Sequence, residues 1–213
     1  MTDIADVKAK GMGFAGIVSA LRPAYEAKPE LVPPELRRYM SAEPEPNAWY
    51  SLHDYLALMR ILASTIDPAK AKGDVYRAFG VIAAQRDVYG TAPNVPPEQR
   101  PKHNAALDGA LKGVTGLASL IRRALHLRER YYSRGYYTVK RVAERKVEVT
   151  LEDFPACREL CSASTGFLTH VLRTARPGAW VERVSCKADG DPDCRWELRF
   201  GADADVTDLA VYE

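Results

Sequence analysis

YYSRGYYTVKRVAERKVEVTLEDF, residues 131–154, reads with a period of two. Tyr137, Val139 and Arg141 alternate with polar neighbours, Val147, Val149 and Leu151 do the same further on, and AERK (143–146) lies between the runs as a reversal. Two alternating runs around a reversal predict a β-hairpin with one buried face. Before this stretch the apolar residues recur at helical spacing. The chain therefore divides near Leu127 into a helical first part and a strand-rich second part.

Upstream, Phe14, Ile17, Val18, Leu21 and Tyr25 predict an amphipathic helix over about 12–27, with Pro23 as a local kink. PPELRRYM predicts a short helix, since proline suits a first turn, and AEPEPN breaks the chain. In WYSLHDYLALMRILAS, Ser51 is the expected N-cap, and Leu52, Tyr55, Leu56, Met59, Leu62 and Ala63 form the buried stripe. AKAKGDVYRAFGVIAAQRDVYG predicts another helix, ended by Gly90, with Val75, Phe79, Ile82 and Ala83 inward. TAPNVPPEQRPKHN is a proline-rich loop. A helix over about 104–127 follows, with Gly109, Gly113 and Gly116 on it as either one wall of a cleft or a tight helix contact.

Downstream, a helix is expected from Pro155 to Arg173, with Leu160, Ser164, Phe167, Leu168, Val171 and Leu172 as its stripe. RPGAWVERVSC and CRWELRF predict a second hairpin, joined through CKADGDPDC at 186–194. The expected fold class is α+β: a helical layer packed on an antiparallel sheet of two hairpins with an intervening helix. A single domain over 1–213 is expected, with a helical part (1–127), a hairpin–helix–hairpin part (128–201) and a C-terminal tail (202–213).

The composition, 46% hydrophobic and 27% charged over 213 residues with a formal charge of +2, is that of an ordinary globular protein. No stretch approaches eighteen uninterrupted apolar residues, and MTDIADVKAKGMGF offers neither an apolar h-region nor a cleavage site. A cytoplasmic protein without a membrane span is expected. Lys and Arg crowd between Arg122 and Lys146, but on a helix end and a hairpin, so no nucleic-acid partner is expected. In a reducing compartment the four cysteines are expected to be thiols or metal ligands rather than staples. For Cys186 and Cys194 a structural metal, buried reduced thiols and a disulfide all stay open.

CRELCSASTGFLTHVL together with WVERVSCKADGDPDCRWELRF resembles the vinyl-reductase-type small-molecule-binding domain. That domain is found in the sensory part of phenol-responsive transcription activators and is related in fold to TRAPP-like tethering subunits and haem nitric-oxide-binding domains. The residues that carry the resemblance are Cys157, Gly166 with Phe167, Cys186, Gly190 and Cys194. The first half, KGMGFAGIV with WYSLHDYLALMRILAS and VYRAFG, is similar to a bacterial family, a myxobacterial paralogous family of unknown function.

In phenol-sensing members, three cysteines and a glutamate hold a structural zinc. The resemblance places the cysteines at Cys157, Cys186 and Cys194 and the glutamate at Arg183, a cation that cannot replace an anionic ligand. Cys161, one helical turn after Cys157, or Glu182 would then fill the fourth position. The expected metal set is Cys157, Cys161, Cys186 and Cys194, holding zinc.

The haem-binding relatives use a Tyr-x-Ser-x-Arg triplet and a proximal histidine. Here Tyr131 and Ser133 are followed by Gly135, and His53, His103, His126 and His170 read as surface or cap residues, so no haem is expected. No nucleophile elbow, phosphate loop, H-E-x-x-H or G-x-G-x-x-G occurs. The expected function is a non-enzymatic sensor domain that binds a small hydrophobic molecule and signals through a protein partner or as a homodimer. Its candidate lining residues are Trp49, Tyr50, Tyr55, Met59, Phe79, Tyr132, Tyr136 and Phe167. The alternative is a TRAPP-like interaction or tethering subunit with a filled core and no ligand.

Overall fold

A computed structural model describes residues 3–66, 74–89, 131–175 and 178–201, with the side chains of 86–89 and 174–175 left out. The predicted helix over 104–127 with its three glycines, the proline-rich loop, His103, His126 and the tail lie outside the described residues. The fold is mixed, helices with an antiparallel sheet, as the change of period predicts. The chain forms two compact units, the first of Met1–Val75, Arg128–Gly135 and Asp153–Pro155, the second of Tyr76–Leu127, Tyr136–Glu152 and Ala156–Glu213.

In the first unit a short strand β1 (Lys8–Lys10) pairs antiparallel with β2 (Trp49–Ser51), between them α1 (Gly11–Ala27) and the one-turn α2 (Arg38–Ser41), and α3 (Leu52–Thr65) follows. Three-residue strands are too short for alternation to reveal, and Trp49 and Tyr50 read from sequence as the approach to a helix and as candidate lining residues, not as a strand. Phe14, Ile17, Val18 and Leu21 of α1 face Leu52, Leu56, Met59 and Leu62 of α3 in the core of this unit. Ser51 caps α3 as expected, its hydroxyl accepting from Asp54 N at 3.4 Å. At Gly11 a Cβ would stand 1.8 Å from the carbonyl oxygen of Glu45, so the segment leading into β2 and the start of α1 meet through a side-chain-free position.

The second unit holds α4 (Val75–Tyr89, from Tyr76 on), β3 (Tyr136–Ala143), β4 (Lys146–Glu152), α5 (Arg158–Ala175), β5 (Trp180–Ser185) and β6 (Cys194–Arg199). Both hairpins enter one antiparallel sheet of order β3-β4-β6-β5, because β6 pairs with β4. Val147, Val149 and Leu151 lie opposite Leu198, Trp196 and Cys194, so the apolar residues of both strands share one face. That face is buried and α5 packs along it, while Lys146, Glu148, Arg195, Glu197 and Arg199 share the other.

In the second unit the start of α5 and the inward face of α4 differ from expectation. α5 starts at Arg158 rather than Pro155, because Phe154 and Pro155 belong to the first unit, where Phe154 packs edge-on against Tyr132 at 5.5 Å. In α4 the inward residues are Gly80 and Ala84, whereas Phe79 is half-buried and Ile82 is 41% exposed. The cause is the crossing with α5: a Cβ at Gly80 would lie 1.8 Å from Ala163 O, and one at Gly166 would lie 1.9 Å from Arg77 O. Two backbones this close leave no room for the larger apolar side chains.

Candidate metal centre

The cysteines come from two places in the second unit. Cys157 stands just before α5 and Cys161 one turn inside it, the Cys161 N–H donating to Cys157 O at 3.0 Å. Cys186 and Cys194 close the turn between β5 and β6. Backbone bonds from Asp189 N and Asp191 N to Cys186 O (2.8 and 3.3 Å) and from Gly190 N to Lys187 O (3.2 Å) shape that turn. Gly190 sits at φ 98°, and a Cβ there would meet nothing within 4 Å, so glycine is favoured by the left-handed backbone alone.

Three aspartates latch the turn. Asp191 Oδ2 accepts from Cys186 N at 2.7 Å, and Asp193 accepts from the Ser185 hydroxyl. Asp189 takes the Arg158 guanidinium from the first turn of α5 and Arg183 of β5, the latter at 3.5 Å. The spacing of the two cysteines gave no hint of these latches; the aspartates of ADGDPD carried the signal, since a carboxylate readily accepts from nearby backbone N–H groups in a turn.

The result is a cluster in which the sulfurs of Cys161, Cys186 and Cys194 all lie within 4.8 Å of one another, and all three residues are buried. All four cysteines are free, so no disulfide joins Cys186 to Cys194. Cys161 Sγ donates to Cys194 Sγ at 3.0 Å, and the Lys187 N–H also points at Cys194 Sγ, at 3.4 Å. The Cys161 donor outweighs burial and pulls the Cys194 thiol down to about 6, with the Lys187 amide helping. Cys161, which supplies that proton, is pushed up by the same bond and by burial.

Cys157 stands outside the cluster, and the four-cysteine set expected from sequence is brought together only in part. Its Sγ donates to Glu159 Oε2 at 3.3 Å. Cys157 precedes the first residue of the helix, and its thiol is turned to Glu159 rather than to the cluster. Glu182 is exposed, on the sheet face opposite the cluster, with its carboxylate 3.7 Å from Arg199. Arg183 lies on the cluster's side of β5, opposite Trp196, bound to Asp189. The glutamate that the resemblance implies is thus replaced by a cation already engaged with the turn.

Sulfurs bound at about 2.3 Å to a tetrahedral zinc stand about 3.8 Å apart. Cys161 and Cys194 stand closer than that, at 3.0 Å, and separating them by less than 1 Å would reach it. Three of its donors fit a soft metal ion; a closed tetrahedron needs one more.

The candidate lining residues fall in both units. In the first, Tyr50 and Tyr55 pack on Phe14 at 4.9 and 5.5 Å, Tyr132 meets Tyr55 at 6.4 Å, and Met59 is buried beneath α3. Trp49 is exposed with the Lys10 ammonium 4.2 Å over its ring. In the second, Phe79 touches Tyr76 at 6.1 Å, Phe167 is half-buried on α5, and Tyr136 is 52% exposed on the open sheet face. Ser133 exchanges bonds with Lys8, its N–H donating to Lys8 O at 2.9 Å and its hydroxyl accepting from Lys8 N at 2.8 Å. Gly135 has φ 88° and Phe154 2.7 Å from a built Cβ, so a side chain at that position would be strained. His53 is exposed beside Asp54, and burial lowers the pKa of His170.

No family model matches the sequence, and no curated protein does. Solved structures do. One is from a study of haem distortion in the H-NOX family, at 12% identity over 92% of this chain and 97% of that chain, with a TM-score of 0.48. A second, from work on haem redox potential and protein-induced porphyrin distortion, has 12% identity over 90% and 99%, with a TM-score of 0.47. At these values the likeness decides neither ligand nor activity. No helix among the described residues is long and apolar enough to cross a membrane.

Proposed function

We propose that the chain is a non-catalytic sensor or regulatory domain that binds a small, largely apolar molecule, carries a structural metal centre and signals through a protein partner, a second copy of itself included. The observation that supports this most is the convergence of Cys161, Cys186 and Cys194. The turn with the Cys, Gly and Cys that resembles vinyl-reductase-type domains is folded onto the helix that carries the other part of the resemblance. A metal there would tie β5 and β6 to α5 and contribute folding free energy. Zinc is the ion the resemblance implies; Cys157, if turned from Glu159 toward the cluster, would be its fourth ligand. Aromatic side chains with polar tips, as at Tyr50, Tyr55 and Tyr132, suit a ligand with a ring and few polar groups.

The test is thermal unfolding of the purified chain against a library of aromatic and acyl compounds, with mass spectrometry of small molecules extracted from it. A binder at a hundred times its dissociation constant should add about 2.7 kcal/mol, visible as a higher melting temperature. A flat response across the library and no extracted molecule would turn the reading toward a tethering subunit.

A further inference from the structure

We infer that Cys161, Cys186 and Cys194 form a three-sulfur site suited to an ion that completes its coordination with three thiolates, of the class of trivalent arsenic presented as arsenous acid. This deepens the metal-centre reading above and rests on it.

The geometry is that of a three-pronged clamp. One prong comes from α5 and two from the ends of the turn, so the sulfurs approach from three separate backbone positions and lie within 4.8 Å of one another. The neighbouring donors among the described residues are committed elsewhere. Cys157 is bonded to Glu159, Glu182 faces Arg199 across the sheet, and Asp189 holds Arg158 and Arg183. Asp191 caps Cys186 N, and Asp193 takes the Ser185 hydroxyl and Arg195. The three cysteines are 2%, 1% and 2% exposed, which disfavours a solvent water as a fourth ligand.

Charge points the same way. A divalent ion on three thiolates leaves a net negative charge on a buried site, which is costly. Arsenous acid exchanges its three hydroxyls for the three cysteine sulfurs: three As–O bonds break and three As–S bonds form, each thiol sending its proton out with a hydroxide as water, and a cysteine already present as thiolate releasing hydroxide itself. Arsenic stays trivalent, no proton is released, and the product is neutral. A buried cluster of soft donors favours such an ion over a hard or strongly hydrated one.

The full-length chain, reduced and stripped of metal, is titrated separately with sodium arsenite and zinc chloride. Native mass spectrometry and the count of free thiols after each addition are the readouts. Arsenite should bind one to one and lower the free thiols from four to one. Cys157→Ser should bind it with unchanged affinity, while Cys161→Ser, Cys186→Ser and Cys194→Ser should each weaken it about a hundredfold, the loss of one tethered ligand. Circular dichroism of each variant shows whether it folds, and Cys157→Ser keeps the test decisive if the others do not. Zinc uptake that needs Cys157, with no arsenite uptake, overturns this inference and leaves the metal centre standing. Arsenite uptake lost in Cys157→Ser also overturns it. If neither ion binds, both readings fall.

Discussion

In the first unit Phe14 is fully buried and closed in by the rings of Tyr39, Tyr50 and Tyr55, all within 5.5 Å. The hydroxyls at the rim are satisfied locally: Tyr39 OH donates to Asp54 Oδ2 at 2.7 Å, and Tyr50 OH accepts from Glu45 N at 2.9 Å. In the second unit α5 turns Thr165 and Thr169 into the buried interface and hydrogen-bonds through it. Trp196 Nε1 donates to Thr165 Oγ1 (2.8 Å), and that hydroxyl donates to Cys161 O (2.9 Å). One core is apolar at its centre and polar at its edge. The other runs a polar chain from the sheet through the helix to the backbone of a cluster cysteine. The lesson is that burial in the second unit serves positioning as well as stability, since each hydrogen bond there constrains direction more narrowly than ring packing does.

Phe14→Ala should give the largest effect, about 3–5 kcal/mol in denaturant unfolding, because it removes the ring that the others surround. A loss under about 1 kcal/mol would show that the rings close without it. Gly166→Val is expected to cost about 3 kcal/mol or more, since its Cβ would need the space of Arg77 O, while Gly190→Ala should cost about 1 kcal/mol, from backbone strain alone. Equal effects at the two glycines would mean that α4 and α5 do not cross so tightly.

Trp196→Phe probes the polar chain and should cost about 1–2 kcal/mol, the price of a buried threonine hydroxyl that loses its donor. If the chain also positions the cluster, the variant should bind metal more weakly, read by the same titrations. Phe14→Ala, in the other unit, should leave metal affinity unchanged if it still folds. Loss of metal in both would break the distinction between the two cores.

The rim of the first core predicts a pH effect. Burial opposes ionisation of Asp54, but hydrogen bonds from Tyr39 and Arg38 outweigh it and hold its carboxyl below the usual value of 3.8. A depressed carboxylate stabilises the fold above its unfolded pKa, and that contribution is lost as pH falls through the folded value, hence below about pH 4. Asp54→Asn should cost about 1 kcal/mol near neutrality and flatten the acid limb of a stability-against-pH curve. The smallest effect is expected at Tyr136→Ala, within about 0.5 kcal/mol, because its ring stands on the open sheet face.

The sequence by itself determined the elements whose signal is local. Period-two alternation located β3 and β4 and their facing residues; the cap at Ser51 located the start of α3, and the stripe behind it found Leu52, Leu56, Met59 and Leu62 but missed the buried Leu58 and took in the half-buried Tyr55 and Ala63. These follow from the chain's own geometry, because a strand or an amphipathic helix repeats its face at fixed intervals. Part of the centre was legible too: the cysteines were singled out, and Cys161 stood as a substitute for a missing ligand.

Only the tertiary structure decided which cysteines meet, which face of α4 is inward and where α5 begins. Cys161 joins Cys186 and Cys194 because a turn latched by Asp189, Asp191 and Asp193 is laid against the first turn of α5, a long-range event with no periodicity to announce it. Phe79 and Ile82 yield the inner face of α4 to Gly80 and Ala84 because another backbone occupies the space, and hydrophobicity alone ranks side chains without knowing how near the neighbour stands. Spacing along the chain fixes what can share a face; only packing across the chain fixes what that face meets.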